Sequence, residues 1–181
     1  MGIDKHSHIV HLIDFGLSKE FRDPDTHRHI LCKASLGVMG TATFASLYNH
    51  IGLELGRRDD LESLAYILIY FLRGRLPWQD LESDDLVVEC KQTTPTQDLC
   101  QGLPMEFRIF LEYSRSLPFD GKPDYNYLYG LFDGLLSKEF QNDLMFDWNV
   151  PACQIKEWPG STPSKPFHEF KCHESPHRHM G

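Results

Sequence analysis

From Leu64 to Leu72 every position is apolar or aromatic, within a longer stretch that reads RRDDLESLAYILIYFLRG. Asp59 or Asp60 can cap a helix here, Glu62 suits the positive end of the helix dipole, and Arg73-Gly74 suits the negative end. The pattern therefore predicts a helix over these residues. It is apolar on every face, so it is expected at the centre of a domain, covered all round. Two further helices are predicted behind prolines. After Pro104, the residues Phe107, Phe110, Leu111, Ser114 and Leu117 share one mostly apolar face. After Pro123, Tyr125, Leu128, Leu131, Phe132, Leu135 and Leu136 repeat that spacing. Residues 80–89 (DLESDDLVVE) are acidic and read as a solvated loop or helix face. Near the start, Ile9–Ile13 is a short β-rich run that stops at Asp14 and Gly16, a strand entering a turn. Residues 17–40 show no period and hold Pro24, Gly37 and Gly40, the texture of a long functional loop. Pro77-Trp78 ends the central segment, and Phe146-Asp147-Trp148 closes the ordered part. Residues 151–181 carry five prolines and four histidines with little apolar periodicity, which predicts a flexible tail.

A chain of 181 residues, 41% hydrophobic and 24% charged, suits one globular domain or part of one. Its net charge of -8 argues against a nucleic-acid partner, since such proteins carry a basic face. The five cysteines are odd in number and without paired spacing, so they read as reduced thiols in an intracellular protein, cytoplasmic or nuclear. The most apolar run is far shorter than the about 20 residues a membrane span needs. Gly2 raises the question of myristoylation, but His6 occupies the position that calls for Ser or Thr. Cys172, His173, His177 and His179 cluster in the tail without a second pair at zinc-finger spacing, so a solvated polar tail is the reading preferred there. His27 and His29 read as loop residues.

Asp14-Phe15-Gly16 bears on chemistry. Phosphoryl transfer needs a carboxylate to hold the Mg²⁺ that bridges nucleotide phosphates, and an aspartate at a strand end followed by glycine can supply it. Alone, three letters are a weak signal. Their order within a series is stronger: Gly40-Thr41-Ala42 with Ala45-Ser46, then Arg57-Arg58-Asp59-Asp60-Leu61-Glu62-Ser63, Leu76-Pro77-Trp78-Gln79, Ser114-Arg115-Ser116-Leu117 and Lys122-Pro123-Asp124-Tyr125. This series, with Leu12–Leu17 (LIDFGL) and Phe21–Ile30 (FRDPDTHRHI), resembles the C-terminal lobe of the protein kinase fold, and the casein kinase 1 family in particular. The resemblance covers roughly residues 1–150. It implies a mainly α fragment with a short β-strand pair before the activation loop, followed by the tail at 151–181.

In that family Met1-Gly2 would fall just after the catalytic loop. The Gly-rich loop, the ATP-binding lysine with its glutamate, and the catalytic loop occur nowhere in the 181 residues. By resemblance, Asp14 is the Mg²⁺ ligand and part of the ATP site. Thr41 would hydrogen-bond the catalytic aspartate, and Asp60 would brace the catalytic-loop backbone. Lys33 and Gln79 match substrate-binding positions that recognise acidic or phosphorylated protein substrates. Arg115 would form a structural ion pair, although Ser46-Leu47-Tyr48 stands where its usual glutamate partner lies. Two departures stand out. Asp80 replaces a glycine, and Glu82, Asp84, Asp85 and Glu89 fill a segment that is basic in relatives, which should weaken phosphate recognition. Ala65 stands where the central helix usually has glycine. Two functions follow as expectations: a fragment of a serine/threonine kinase, inactive by itself and weak in binding Mg-ATP, or a non-catalytic, pseudokinase-like interaction module.

Overall fold

The computed structural model describes residues 9–34 and 37–139. Its architecture is mainly helical. Six helices follow one another: α1 (Leu47–His50), α2 (Arg57–Arg73), α3 (Asp84–Thr93), α4 (Thr96–Leu99), α5 (Met105–Ser116) and α6 (Tyr125–Glu139). The three long helices expected from periodicity are α2, α5 and α6. The acidic stretch turns out to begin a helix of its own, α3. The segment Phe146–Trp148, the tail and its Cys/His cluster lie outside the described residues.

Among the described residues the predicted strand and strand pair before the loop are not formed. Residues Ile9–Ile13 have no regular structure, and Val10, Leu12 and Ile13 are 76%, 85% and 79% exposed. The reason is physical: a strand is stable only when a neighbour takes its backbone hydrogen bonds and a second layer covers its apolar face. Among the described residues nothing does either. Pairing is limited to isolated antiparallel bridges between Arg22 and His29 and between Ala34 and Leu53.

Helix α2 organises the core. It starts earlier than the sequence suggests, with Gly56 as N-cap. Asp59 therefore caps from inside the first turn, its carboxylate accepting a hydrogen bond from the Gly56 amide at 2.8 Å. Gly56 has to be glycine on packing grounds, since a Cβ there would meet the Phe119 carbonyl oxygen at 2.8 Å. At the other end Gly74 takes φ 77°, the left-handed conformation that closes a helix, and its amide bonds the Tyr70 carbonyl. The most extensive helix pairing is α2 on α5. It buries Ala65, Tyr66 and Ile69 with Phe110 and Leu111, and with Leu76, Trp78, Val87, Cys90 and Leu99 from the flanking segments. Ala65 is 1% exposed, so its methyl group packs in full contact.

The expectation that α2 is covered all round needs correction. Phe71 is 73% and Leu64 is 44% exposed. Leu61, Leu64 and Leu68 form one wall of an open apolar groove of about 590 Å³, which α5 and α6 complete with Phe110, Leu128 and Phe132. The described helices cover one side of α2, and no described element reaches the other.

Stability should follow this asymmetry. Leu111→Ala, at a site with no exposure, should destabilise by about 2–5 kcal/mol in urea unfolding. Phe71→Ala should stay within about 0.5 kcal/mol, as for a surface position. Equal effects at the two sites would contradict the packing described.

Candidate functional site

The segment Gly40–Ser46 lies between the long loop and α1, and its backbone is heavily restrained. Gly40 takes φ 83°. The Thr41 carbonyl accepts from the amides of Phe44 and Ala45 at 3.0 and 3.1 Å, closing a turn. Neighbouring elements then hold the remaining carbonyls. Trp78 donates its indole N–H to the Thr43 oxygen at 2.8 Å. The Lys91 side-chain nitrogen of α3 donates to Ala42 O at 2.9 Å and Ala45 O at 2.7 Å. The Thr41 side chain itself remains exposed.

A second chain of hydrogen bonds fastens the segment to α2. Asn49 donates to the Met39 carbonyl at 2.7 Å and accepts from the Met39 amide at 2.9 Å. The Asn49 amide donates to Ser46 Oγ at 3.1 Å, and Ser46 Oγ donates to the Asp59 carboxylate at 2.7 Å. Asp59 is 2% exposed and also caps its own helix. Its neighbour Asp60 is accessible to solvent, and no described residue hydrogen-bonds its carboxylate. Partial burial and the Asp59 charge push the Asp60 carboxyl above the usual range.

Beneath the segment lies a buried ionic cluster that sequence reading missed. Glu62, 2% exposed, accepts from the Arg115 guanidinium at 3.2 Å and from the Tyr66 hydroxyl at 2.5 Å. Arg115 also donates to the Tyr66 oxygen at 2.7 Å and the Lys91 carbonyl at 3.4 Å. The ion pair expected for Arg115 thus has its carboxylate on α2 instead of near Ser46. Burial and the Glu62 charge push the Tyr66 phenol upward. Lys91 is fully buried, over the rings of Tyr66 at 5.1 Å and Trp78 at 5.2 Å. Burial lowers its pKa to about 7, against the pull of Glu62. Spacing could have flagged Glu62 and Tyr66 as an i,i+4 pair. Nothing local marks Lys91, which sits in a polar-looking stretch, ECKQTT.

The remaining sequence-assigned residues are dispersed. Asp14 is exposed at φ 64°, and its carboxylate accepts from the Gly16 amide at 3.4 Å, capping the short 3-10 turn Phe15–Leu17. Short polar side chains tolerate that left-handed geometry. As a Mg²⁺ site Asp14 offers a single carboxylate, and the described residues contain no group of three His, Cys, Asp or Glu able to hold a metal ion. A Mg²⁺ ion takes more oxygen ligands than this one carboxylate supplies. The Lys33 ammonium is exposed, while its carbonyl accepts from the Glu54 amide at 2.8 Å. Gln79 is exposed and accepts from the Leu76 amide at 3.3 Å. Lys33 and Gln79 make no hydrogen bond with each other. Asp80 pairs with Arg75 at 2.9 Å. Among the described residues, Cys32, Cys90 and Cys100 form no disulfide. No described helix is long and apolar enough to cross a membrane. Searched against the models of known protein families, the chain matches none.

The Glu62–Arg115 pair gives a direct test. Glu62→Leu leaves the partly buried Arg115 guanidinium without its carboxylate and should cost about 3 kcal/mol in urea unfolding. Adding Arg115→Met should recover part of that loss, because the unpaired charge goes too. A double variant that shows the plain sum of both losses would mean the two side chains are not coupled.

Proposed function

We propose that this chain is a C-terminal-lobe fragment of a casein kinase 1-like serine/threonine protein kinase, inactive by itself. The observation that carries this reading is the collinear series of motifs from Leu12 to Tyr125, each in the same order as in that family. The helical architecture is compatible with it: a long helix opening at Arg57-Arg58-Asp59-Asp60, with later helices packed along it. The restrained turn at Thr41 and the unengaged Asp60 carboxylate also suit the reading. Thr41 would present its hydroxyl toward a catalytic aspartate. Asp60 would accept backbone N–H groups of a catalytic loop, the donors its carboxylate lacks among the described residues. Asp14 would contribute one metal ligand of the several that Mg-ATP requires. ATP and Mg²⁺ are then cofactors of the complete kinase domain, and proteins its substrates, with Lys33 and Gln79 on the substrate side.

A second reading is favoured by the open groove along α2 and by the exposed run Val10–Ile13. Large uncovered apolar surfaces mark sites of association. Under this reading the chain is a non-catalytic, pseudokinase-like interaction module.

A chimaera separates the two. The N-terminal kinase parts of a casein kinase 1, through its catalytic loop, are joined ahead of Met1. The kinase reading expects phosphate transfer from ATP to casein, lowered at least about 10³-fold by Asp14→Asn, as expected when a metal carboxylate is removed from a site that works by positioning and electrostatics. The 181-residue chain alone should transfer none above background. A chimaera that unfolds cooperatively yet never transfers phosphate would sink the kinase reading.

A further inference from the structure

We propose that Lys91 and His50 form a latch, carrying at most one proton between them, which fastens the Thr41–His50 segment to α3 and releases it as pH falls. The Lys91 nitrogen sits 3.0 Å from His50 Nε2, and both lie on the Ala42 carbonyl oxygen, at 2.9 and 3.1 Å respectively. Lys91 also reaches Ala45 O at 2.7 Å. Two backbone carbonyls and one imidazole nitrogen thus surround a fully buried amine.

Donor and acceptor counting decides which protonation states this cage accepts. A neutral Lys91 has two N–H donors and a lone pair. The donors serve Ala42 O and Ala45 O, and the lone pair faces an N–H on His50 Nε2. A charged Lys91 has three donors, so His50 Nε2 has to accept and the imidazole proton moves to Nδ1. That atom is buried and has no hydrogen-bond partner. It is orphaned as an acceptor in the other tautomer too, so this exchange alone leaves the balance unchanged. A second proton is unfavourable, since it sets two cations 3.0 Å apart. The geometry therefore favours fewer protons on the closed latch than on the open one.

The surrounding charges divide: Arg115 and the pair's own repulsion disfavour protons here, Glu62 and Cys90 favour a charged Lys91 and Asp84 a charged His50, and burial outweighs them. Lys91 faces Glu62 and Tyr66 of α2, Arg115 of α5, His50 of α1 and Cys90 of its own helix. His50 faces Lys91 and, more weakly, Asp84. Burial lowers Lys91 from 10.5 to about 7, and burial followed by Lys91 lowers His50 below 6.5. When the segment opens, both groups regain ordinary values and take up protons. From about pH 9 down to pH 7 opening takes up one proton at Lys91. Below about pH 6.5 it takes up another at His50. Each proton favours opening by up to about tenfold per pH unit. The closed latch is thus most stable on the alkaline side of neutrality and weakens on acidification.

Hydrogen–deuterium exchange on the 181-residue chain reads this directly. Protection at residues 41–50 is corrected for intrinsic exchange and expressed relative to the α2 amides at 66–69. The ratio should fall up to about tenfold per pH unit between pH 9 and 7, level near pH 7, and fall again below 6.5. Lys91→Met should remove the upper step. His50→Gln, which can still donate to Ala42 O but cannot titrate, should remove the lower step. A ratio that stays flat with pH in the unaltered chain would overturn the latch. So would steps that persist unchanged in His50→Gln, even if Lys91→Met does not fold.

Discussion

Everything in the interior of this fold has to accommodate a buried carboxylate, a buried amine and a partly buried guanidinium that come from three different helices. Glu62 belongs to α2, Lys91 to α3 and Arg115 to α5, and they meet around the Tyr66 ring and hydroxyl. One carboxylate cannot neutralise two cations. The structure resolves the excess in two ways. Arg115 takes the carboxylate and the phenol oxygen, and is raised above its usual value because Glu62 and Tyr66 outweigh the opposing effect of burial. Lys91, with only carbonyls and an imidazole nitrogen left to it, is driven toward neutrality. Guanidinium geometry suits the first role and a point-like amine the second. Such clusters contribute little net stability compared with apolar packing, but an error in helix rotation would leave a charge buried alone. The cluster thus fixes how α2, α3 and α5 are rotated relative to one another.

That fixing is passed on to the Gly40–His50 segment. Three of its carbonyls end on side chains of other elements: Ala42 and Ala45 on Lys91, and Thr43 on Trp78. Its side chains Ser46 and Asn49 join it to Asp59 and Met39. A stretch with only a four-residue helix of its own is therefore restrained by side chains of other elements. The exposed Thr41 hydroxyl inherits that restraint, which is what a positioning role near a reaction centre would need.

Helix existence was legible in the sequence wherever one face repeats. Helices α5 and α6 follow prolines and carry their apolar residues at the expected spacing, and α2 ends at the glycine that the pattern marks. The strand at Ile9–Ile13 was misread because β-rich composition says nothing about whether a neighbour exists. The full burial of α2 was misread for the same reason, since an all-apolar run states a need for covering without supplying it. In the site, Asp59 and Asp60 were indistinguishable as letters. Only the three-dimensional start of the helix at Gly56 makes Asp59 the buried cap and leaves Asp60 beside it without a described donor. Lys91 and His50 were illegible altogether, because they lie on different elements and a lysine amid polar residues is ordinarily solvated.

The acidic stretch after Trp78 shows how a charge pattern changes meaning once its backbone is known. Read as a string, Asp80, Glu82, Asp84 and Asp85 confront Lys33 and oppose any anionic substrate. In the fold each half has a local use. Asp80 is paired with Arg75 at 2.9 Å. Asp84 and Asp85 occupy the first turn of α3 behind the Ser83 cap, where carboxylates offset the positive end of the helix dipole. Exposed pairs of this kind contribute at most about 1 kcal/mol, and their fields fade over about 8–10 Å in physiological salt. Part of the negative charge is therefore answered within a few residues of where it stands. Its long-range opposition to Lys33 is weaker than the bare count of carboxylates suggests, and the basic side chain most consequential for this fold is the one no pattern revealed, the buried Lys91.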